Sequence, residues 1–181
     1  MINKEDIICE TDRLYVVKFR DDDIDAQVIY DIFNQEQVIR YIGDRGLRTL
    51  ELARAYVRNI INSYTVNGYG MMHVIRKEDH QSLGTCGLVK RKWIAREDEV
   101  NIGYALRKQF EHQGYTIEAT KAIIQDGQTR LGISNIVGTT VSTNIPSIKV
   151  LEKLGLVHKL DTADDVDPTE LLSLYVFPEY L

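Results

Sequence analysis

The sequence is poor in the features that would place the chain in a membrane or outside the cell. Its apolar runs are short, and none approaches the ~20 residues that a membrane-spanning helix needs. The opening residues, MINKEDIICETDRL, are charged and contain no apolar signal-peptide core. The two cysteines, Cys9 and Cys86, have neither metal-ligand nor redox spacing. We therefore expect a cytoplasmic protein with both thiols free, and no membrane partner.

Basic charge is also scarce. The chain has 22 lysines and arginines against 27 aspartates and glutamates, a net charge of −5. Proteins that bind nucleic acid usually carry the opposite balance, because they neutralise phosphates, so we expect no nucleic-acid partner. No spacing of histidine, cysteine, aspartate or glutamate suggests a metal site. Repeats, low-complexity runs and linkers are absent, which predicts a single domain over residues 1–181.

Two apolar periodicities fill most of the chain. Alternation predicts strands at residues 12–19, 71–77, 82–92, 99–106, 134–141 and 171–177. Spacings of three and four predict helices at residues 21–35, 49–67, 114–129 and 144–154. Short polar turns separate the three central strands, which favours an antiparallel meander, and residues 161–170 read as an acidic, solvated loop. The predicted fold class is α+β, with a mixed, mostly antiparallel sheet flanked by helices.

The stretch RKQFEHQGYTIEAT, residues 107–120, predicts a helix that begins just after Gly114. Such a start presents free backbone N–H groups and the positive end of the helix dipole, which suit phosphate oxygens. No Gly-Lys-Ser/Thr follows, so this is not a Walker loop. Three spaced glycines are missing, so it is not the dinucleotide fingerprint either. The residues alone leave open whether the stretch holds a phosphate or only starts a helix.

The stretch NIPSIKVLEKLGL, residues 144–156, carries an apolar stripe and a cap. Asn144 is first of all a helix N-cap. Ser147, one turn into the helix, has no packing role that the pattern explains. Its side chain is either simply exposed or functional.

Taken in order, these pieces resemble the GNAT superfamily of acetyl-coenzyme A-dependent N-acetyltransferases over nearly the whole chain. The segments VIRYIGD (residues 38–44), GYG (68–70), LGTCGLVKR (83–91) and NIGYAL (101–106) fall where the sheet of that family would be. GYTIEA (114–119) matches the start of its pyrophosphate-binding helix, and residues 144–156 match its second cofactor segment. The spacing is most similar to the RimJ/RimL-like branch of ribosomal-protein N-terminal acetyltransferases.

The resemblance implies a binding site for acetyl-CoA. The implied cofactor-binding residues are Tyr104, Ala105, Leu106, Glu111, His112, Gln113, Gly114, Tyr115, Thr116, Asn144 and Ser147. In this family the pyrophosphate loop usually reads Q/R-x-x-G-x-G/A. Here Thr116 places a branched side chain where the backbone normally approaches the phosphates bare, and Glu111 places a carboxylate near them. At ~6 Å, two like charges repel by roughly 3 kcal/mol at an effective dielectric of 20 and by under ~1 kcal/mol in water.

The resemblance also implies direct attack of a neutral amine on the acetyl thioester. Many relatives have a tyrosine general acid where this chain has Leu151, which leaves Ser147 as the expected proton donor to the thiolate. Many also have a glutamate base where this chain has Asn101, so Glu99 becomes the expected catalytic carboxylate. Asp98 and His73 are further candidates for the base, each with an ordinary structural role as the alternative.

A weak base favours an acceptor that is already neutral. An α-amine with pKa ~7.7 is about 15% neutral at pH 7, whereas a lysine with pKa ~10.4 is under ~0.1% neutral. We therefore expect a protein or peptide N-terminus as the acceptor. Two alternatives stay open: a small amine of the aminoglycoside or polyamine kind, and a catalytically inactive acyl-CoA sensor or interaction module. The expected assembly is a monomer or homodimer.

Overall fold

Eight strands and five α-helices make up the part of the chain that the computed structural model describes, residues 2–91, 99–163 and 171–181. The strands are β1 (Ile7–Glu10), β2 (Leu14–Val17), β3 (Met71–Arg76), β4 (Ser82–Lys90), β5 (Val100–Leu106), β6 (Ile136–Val141), β7 (Val157–Ala163) and β8 (Leu171–Val176). The helices are α1 (Asp23–Phe33), α2 (Glu36–Ile42), α3 (Leu50–Asn67), α4 (Tyr115–Thr129) and α5 (Ile145–Lys153).

All eight strands belong to one sheet, in the order β1-β2-β3-β4-β5-β6-β8-β7. Neighbours are antiparallel except β5 and β6, which run parallel. That parallel pair is short: Val100 to Ile102 pair with Ile136 to Gly138, and beyond this point the two strands have no partner residues in common. The predicted meander of β3, β4 and β5 and the predicted fold class are both confirmed.

Helices cover both faces of the sheet. On one face α4 packs against the central strands, where Ile102, Ala119 and Ile123 belong to the larger buried cluster. On the other face α1 and α3 pack together around a second cluster that includes Ile29 and Val57. Alternation along the strands places successive side chains in different clusters, which explains why their sequences alternate or are apolar throughout.

Three helices begin as their sequences predict. The side chains of Asp22, Thr49 and Asn144 accept hydrogen bonds from the backbone N–H groups of the third residue after each. Each bond satisfies a donor that the first helical turn would otherwise leave unpaired. At the other end of α3, Gly68 takes a left-handed conformation with φ of 79°, which a residue with a Cβ adopts only at a cost.

The structure differs from the sequence predictions in three places. Residues 38–42 lie in helix α2 and do not reach the sheet; Val38 is buried among the residues of α1 and α3. Strands β1 and β7 were not predicted, because they lie at the two edges of the sheet and have few buried side chains. Residues 161–163, assigned to a loop, belong to β7, and the rest of that acidic segment lies outside the described residues.

Leu151 of α5 is 1% exposed and packs against Gly138 of β6. A Cβ added at Gly138 would lie 2.3 Å from Leu151 Cδ2, so no spare volume exists here. We expect Leu151→Tyr, which introduces the tyrosine common in GNAT enzymes, to overpack the core and lower the free energy of unfolding by about 1–3 kcal/mol. Ile145→Tyr, at a position on the same helix that is 51% exposed, should change it by less than ~0.5 kcal/mol. Urea denaturation measures both; an unchanged midpoint for Leu151→Tyr would contradict the packing described here.

Candidate active site

The separation of β5 from β6 opens a cleft of about 1160 Å³. The cleft is lined by the end of β5, the end of β6, helix α2 with the loop after it, the first turn of α4 and one side of α5. On the side facing β6, the backbone of residues 103–106 has no strand partner among the described residues. Apart from the Leu106 carbonyl, which accepts a hydrogen bond from Gln35, backbone N–H and C=O groups on this side are left for a ligand to pair with.

A tight turn leads from β5 into α4 at one end of this cleft. His112 and Gly114 both have positive φ, 59° and 82°, and Gly114 occupies the N-cap position of α4. The first turn of α4 therefore has backbone N–H groups with no partner inside the helix. Two residues of this turn, Thr116 and Ile117, line the cleft. This arrangement suits an anion such as a phosphate.

Arg13 supports the turn from behind. Its guanidinium donates to the backbone carbonyl of Gln113 at 3.1 Å and to Glu118 Oε2 at 2.7 Å, and lies 4.4 Å from the centre of the Tyr115 ring. Hydrogen bonds from Thr11 and from Arg13, which outweigh the effect of burial, lower the pKa of Glu118, so its carboxylate stays charged. The sequence did not predict that Arg13 holds this turn, because its partners lie about a hundred residues away along the chain.

Glu111, whose carboxylate is expected to oppose phosphate binding, lines the cleft and is hydrogen-bonded to helix α2. Gln37 of α2 donates a hydrogen bond from Nε2 to Glu111 Oε1. Gln35, just before α2, donates to the carbonyl of Leu106 at 2.9 Å and accepts from the N–H of Lys108 at 2.7 Å. The two glutamines thus attach α2 to the end of β5 and to the turn. Sequence reasoning missed both, since a surface glutamine has no distinctive pattern.

Tyr104 and Ser147 meet across the cleft. The Tyr104 hydroxyl lies 2.9 Å from Ser147 Oγ and 3.2 Å from the Ser147 carbonyl, so strand β5 and helix α5 are joined at this point. Burial raises the pKa of Tyr104 above its ordinary range, which keeps the hydroxyl protonated. Asn144, the cap of α5, accepts from the N–H of Ser147 at 3.3 Å and fixes the first turn of the helix.

Most of the residues that the sequence predicted for cofactor binding line this one cleft. Those that do are Tyr104, Ala105, Leu106, Glu111, His112, Gly114, Thr116, Asn144 and Ser147. Two do not: Gln113 is exposed, with its carbonyl bonded to Arg13, and Tyr115 is 6% exposed with its ring in the core. The carbonyl of Leu106 already accepts a hydrogen bond from Gln35, so its capacity to accept another from a ligand is reduced.

Glu99 and His73, two of the residues considered as bases, are not among the residues that line the cleft. Glu99 is 2% exposed, and its Oε2 has no hydrogen-bond partner among the described residues. His73 is also buried, with Nδ1 3.0 Å from Asp25 Oδ1 and its ring stacked on Phe19, so it fastens α1 to the sheet. Asp98 lies outside the described residues.

Asn101 has a structural role at the start of β5. Its amide oxygen accepts from the Thr139 hydroxyl at 2.8 Å, and its amide nitrogen donates to the Ile102 carbonyl at 3.1 Å. The bond from Thr139 of β6 helps to join β5 to β6 just where their pairing ends. An amide there cannot take up a proton at neutral pH, so this position supplies no base.

Two further searches gave negative results within the described residues. No group of three or more histidine, cysteine, aspartate or glutamate side chains is placed to hold a metal ion. No helix in residues 2–91, 99–163 and 171–181 combines the length and apolar character needed to cross a membrane.

Comparison of the chain with known proteins identifies the family to which it is similar. The chain is 28% identical over 132 residues to the uncharacterized N-acetyltransferase YnaD of Bacillus subtilis, covering 73% of each chain. Its fold matches a GNAT-family acetyltransferase from Bacillus anthracis with a TM-score of 0.76 at 21% identity, covering 96% and 99% of the two chains. It also matches RimL, a ribosomal L7/L12 α-N-protein acetyltransferase in complex with coenzyme A, with a TM-score of 0.78 at 16% identity over 94% and 98%.

The family model that matches is the acetyltransferase (GNAT) domain, and it covers residues 13–157, from the arginine behind the turn to the start of β7. This span contains β5, β6 and the residues of the cleft described above. The chain therefore belongs to the GNAT family and is an acetyl-CoA-dependent acetyltransferase.

Proposed function

We propose that the enzyme transfers an acetyl group from acetyl-CoA to a primary amine, preferably the α-amine of a protein or peptide N-terminus. One observation carries the proposal: a single cleft joins the anion-binding turn at Gly114 to the hydroxyl pair of Tyr104 and Ser147. The first arrangement suits the pyrophosphate of the donor, and the second can supply a proton. The names of structural neighbours, among them RimL, support a protein N-terminus as the acceptor class.

The donor would bind between strands β5 and β6 where they separate. The unpaired edge of residues 103–106 would hydrogen-bond the amide-containing arm of CoA as a further strand would, while the start of α4 holds the pyrophosphate. The thioester then lies along β5, near Tyr104. A backbone N–H of this strand would stabilise the oxyanion that forms when the amine attacks the carbonyl.

Ser147 and Tyr104 would complete the transfer. As the carbon–sulfur bond breaks, the CoA thiolate would take a proton from the Ser147 hydroxyl, which recovers one from Tyr104 at 2.9 Å. Tyr104 is then reprotonated from solvent, which receives the proton that the attacking amine gives up. A thiol of pKa ~8.5 is a good leaving group, so this assistance need only be modest. The amine loses its own proton to solvent, because the described cleft lining contains no carboxylate near Asn101.

The absent base is the reason to favour an α-amine. The neutral fraction of an α-amine at pH 7 exceeds that of a lysine side chain by about 400-fold. A more basic amine is also the stronger nucleophile, which offsets part of this difference but not all of it. The proposal therefore ranks peptide N-termini above lysines and polyamines.

The acceptor class is tested with matched substrates. We expect kcat/KM at pH 7 to be roughly tenfold or more higher for a peptide with a free α-amine than for an N-terminally blocked peptide with one lysine. The preference should shrink between pH 7 and pH 9, because the neutral fraction of the lysine rises about 100-fold over this range while that of the α-amine rises only about sixfold. Mass spectrometry locates the acetyl group. Acetylation of spermidine, with no acetylation of any peptide N-terminus, would show the proposed acceptor to be wrong.

The two hydroxyl groups are tested separately. We expect Ser147→Ala to lower kcat by about 10- to 100-fold while the acetyl-CoA dissociation constant changes by less than ~3-fold, because the hydroxyl acts on the departing thiolate. Tyr104→Phe keeps the ring in place and should lower kcat by a smaller factor, ~3- to 10-fold, because it acts through Ser147.

The double variant, Ser147→Ala with Tyr104→Phe, shows whether the two hydroxyls act in sequence or independently. If the hydroxyls act in sequence, the double variant should be no slower than Ser147→Ala alone. A double variant that loses the product of both factors would show that Tyr104 and Ser147 act independently.

The Gln37–Glu111 bond should protect the affinity for acetyl-CoA. Without it, the carboxylate is free to approach the pyrophosphate, and we expect Gln37→Ala to weaken acetyl-CoA binding by about fivefold, equivalent to ~1 kcal/mol. Adding Glu111→Gln to that variant should restore the affinity, because the repelling charge is gone. Glu36→Ala, at the exposed neighbouring position of α2, is the control. Isothermal titration calorimetry measures all four proteins; no rescue in the double variant would contradict the electrostatic explanation.

A further inference from the structure

The cleft is lined from both faces of the sheet. Tyr104 of β5 points to the face covered by α4 and α5, because its hydroxyl reaches Ser147 of α5. Ala105, the next residue, points to the opposite face and packs against the cluster of α1 and α3, to which α2 also contributes. The N-terminus of α4 and Ser147, which would hold the donor, belong to the first face. The α2 face of the cleft is therefore left for the acceptor.

The two strands that border the cleft keep a common register where they separate. Ile102 pairs with Gly138, so three residues further along each strand Ala105 comes level with Val141. Paired residues point to the same face of a sheet, and side chains alternate equally along both strands, so Ala105 and Val141 also share a face. An acetyl group held near Tyr104 therefore lies at the level of Val141, across the gap between the strands.

The β6 side of the cleft is apolar at this level. Val141 pairs with Leu172 of β8, so the two side chains are neighbours on the α2 face. Each is 5% exposed and lines the cleft. Neither belongs to any of the three apolar clusters of the described residues, although Leu174 and Val176, further along the same face of β8, do. The apolar surface of Val141 and Leu172 therefore borders the cleft and none of these clusters.

Helix α2 supplies another apolar wall. Val38 and Ile42, four residues apart, pack against α1 and α3 and hold the helix in place. Ile39, on the adjoining side of the helix, is half-buried, lines the cleft and lies outside the three clusters of described residues. Arg40 and Arg45 also line the cleft but are exposed, which places them nearer its mouth. The inner wall formed by α2 is therefore aliphatic.

We propose that the acceptor carries a large aliphatic side chain beside its α-amine, and that Ile39, Val141 and Leu172 bind this side chain. These three residues are called the aliphatic pocket below. The inference rests on the proposed transfer of acetyl to an α-amine and narrows the acceptor class. The nitrogen is one bond from the Cα that bears the side chain, so an amine at the thioester near Tyr104 brings this side chain to the level of Val141. The side chain belongs either to the first residue of a peptide or to a free amino acid.

An aliphatic pocket selects its acceptor in two ways. A leucine side chain removes apolar surface from water when it binds, whereas an asparagine of similar shape would leave its amide without hydrogen-bond partners. The same walls keep water from an amine bound beside them. Loss of water disfavours the charged ammonium, so the neutral amine that attack requires is favoured.

The test compares three peptides that differ only in their first residue, which is leucine, asparagine or alanine, together with free leucine. With the purified chain and acetyl-CoA, we expect kcat/KM for the leucine peptide to be roughly tenfold or more above that of each other peptide, mainly through KM. Raising the salt concentration should not reduce this preference, because no charge pair causes it. Free leucine acetylated faster than the leucine peptide would support the pocket and identify the amino acid as the source of the side chain.

Variants of Ile39 decide whether the α2 wall causes the preference. Ile39→Thr makes the wall shorter and polar, and should lower the ratio of the leucine to the alanine peptide by roughly fivefold. Ile39→Phe fills the pocket and should bring this ratio to about one or below. Ile24→Thr is the matched control, because Ile24 of α1 is 64% exposed and does not line the cleft. Its ratio should equal that of the unaltered protein, and a general loss of folding would lower both rates without changing their ratio.

Failure of the pocket and failure of the proposed function give different results. Equal rates for the three peptides, or a leucine preference that persists in both Ile39 variants, would overturn the pocket and leave the N-terminal acetyltransferase intact. If none of these acceptors is acetylated, the proposed function fails, and calorimetry in the presence of CoA then tests the pocket alone. Tighter binding of the leucine than of the asparagine peptide, lost in Ile39→Phe, would support the pocket; equal binding or none would overturn it.

Discussion

The parallel pairing of β5 with β6 is the constraint on which the rest of the site depends. Parallel strands need a long connection, and here that connection is the turn at Gly114 followed by α4. The same crossover that makes the strands parallel therefore places a helix N-terminus at the end of β5. Pairing stops at Ile102 and Gly138, and the strands separate with their backbone groups unpaired. A donor with phosphates at one end and amides along its arm fits both features at once.

Much of the fold follows from local sequence, and the parts that do not are those decided by distant partners. Caps such as Asn144 and alternating strands such as β4 are set by residues close in sequence, and they were predicted. Helix α2 was not, because VIRYI is rich in residues that favour strands, and its helical form is fixed by burial of Val38 against α1 and α3. Edge strands β1 and β7 form because a neighbour is present to pair with them.

The same distinction holds for the candidate site. The sequence identified Gly114 and Ser147 as candidates, because each belongs to a local pattern. Gly114 is a glycine just before a helix, and Ser147 is a serine without a packing role in the first turn of another helix. It could not reveal Gln37 or Arg13, whose roles exist only through partners about 70 and 100 residues away. Nor could it separate Tyr115, whose ring lies in the core, from its neighbours that line the cleft. A motif identifies the segment, and packing decides which side chains of that segment face the ligand.

Two departures from the usual residues of the family are explained by what surrounds them. Leu151 fills the space beside Gly138, so a tyrosine there would overpack the core, and the hydroxyl that reaches Ser147 comes from Tyr104 on the strand instead. Asn101 stands at the start of β5 where many relatives have a glutamate, and its amide accepts a hydrogen bond from Thr139 and donates one to the Ile102 carbonyl. A carboxylate at this position could accept from Thr139 but could not donate to a carbonyl. The position that supplies a base in many relatives therefore helps here to hold β5 against β6 at the point where the cleft begins.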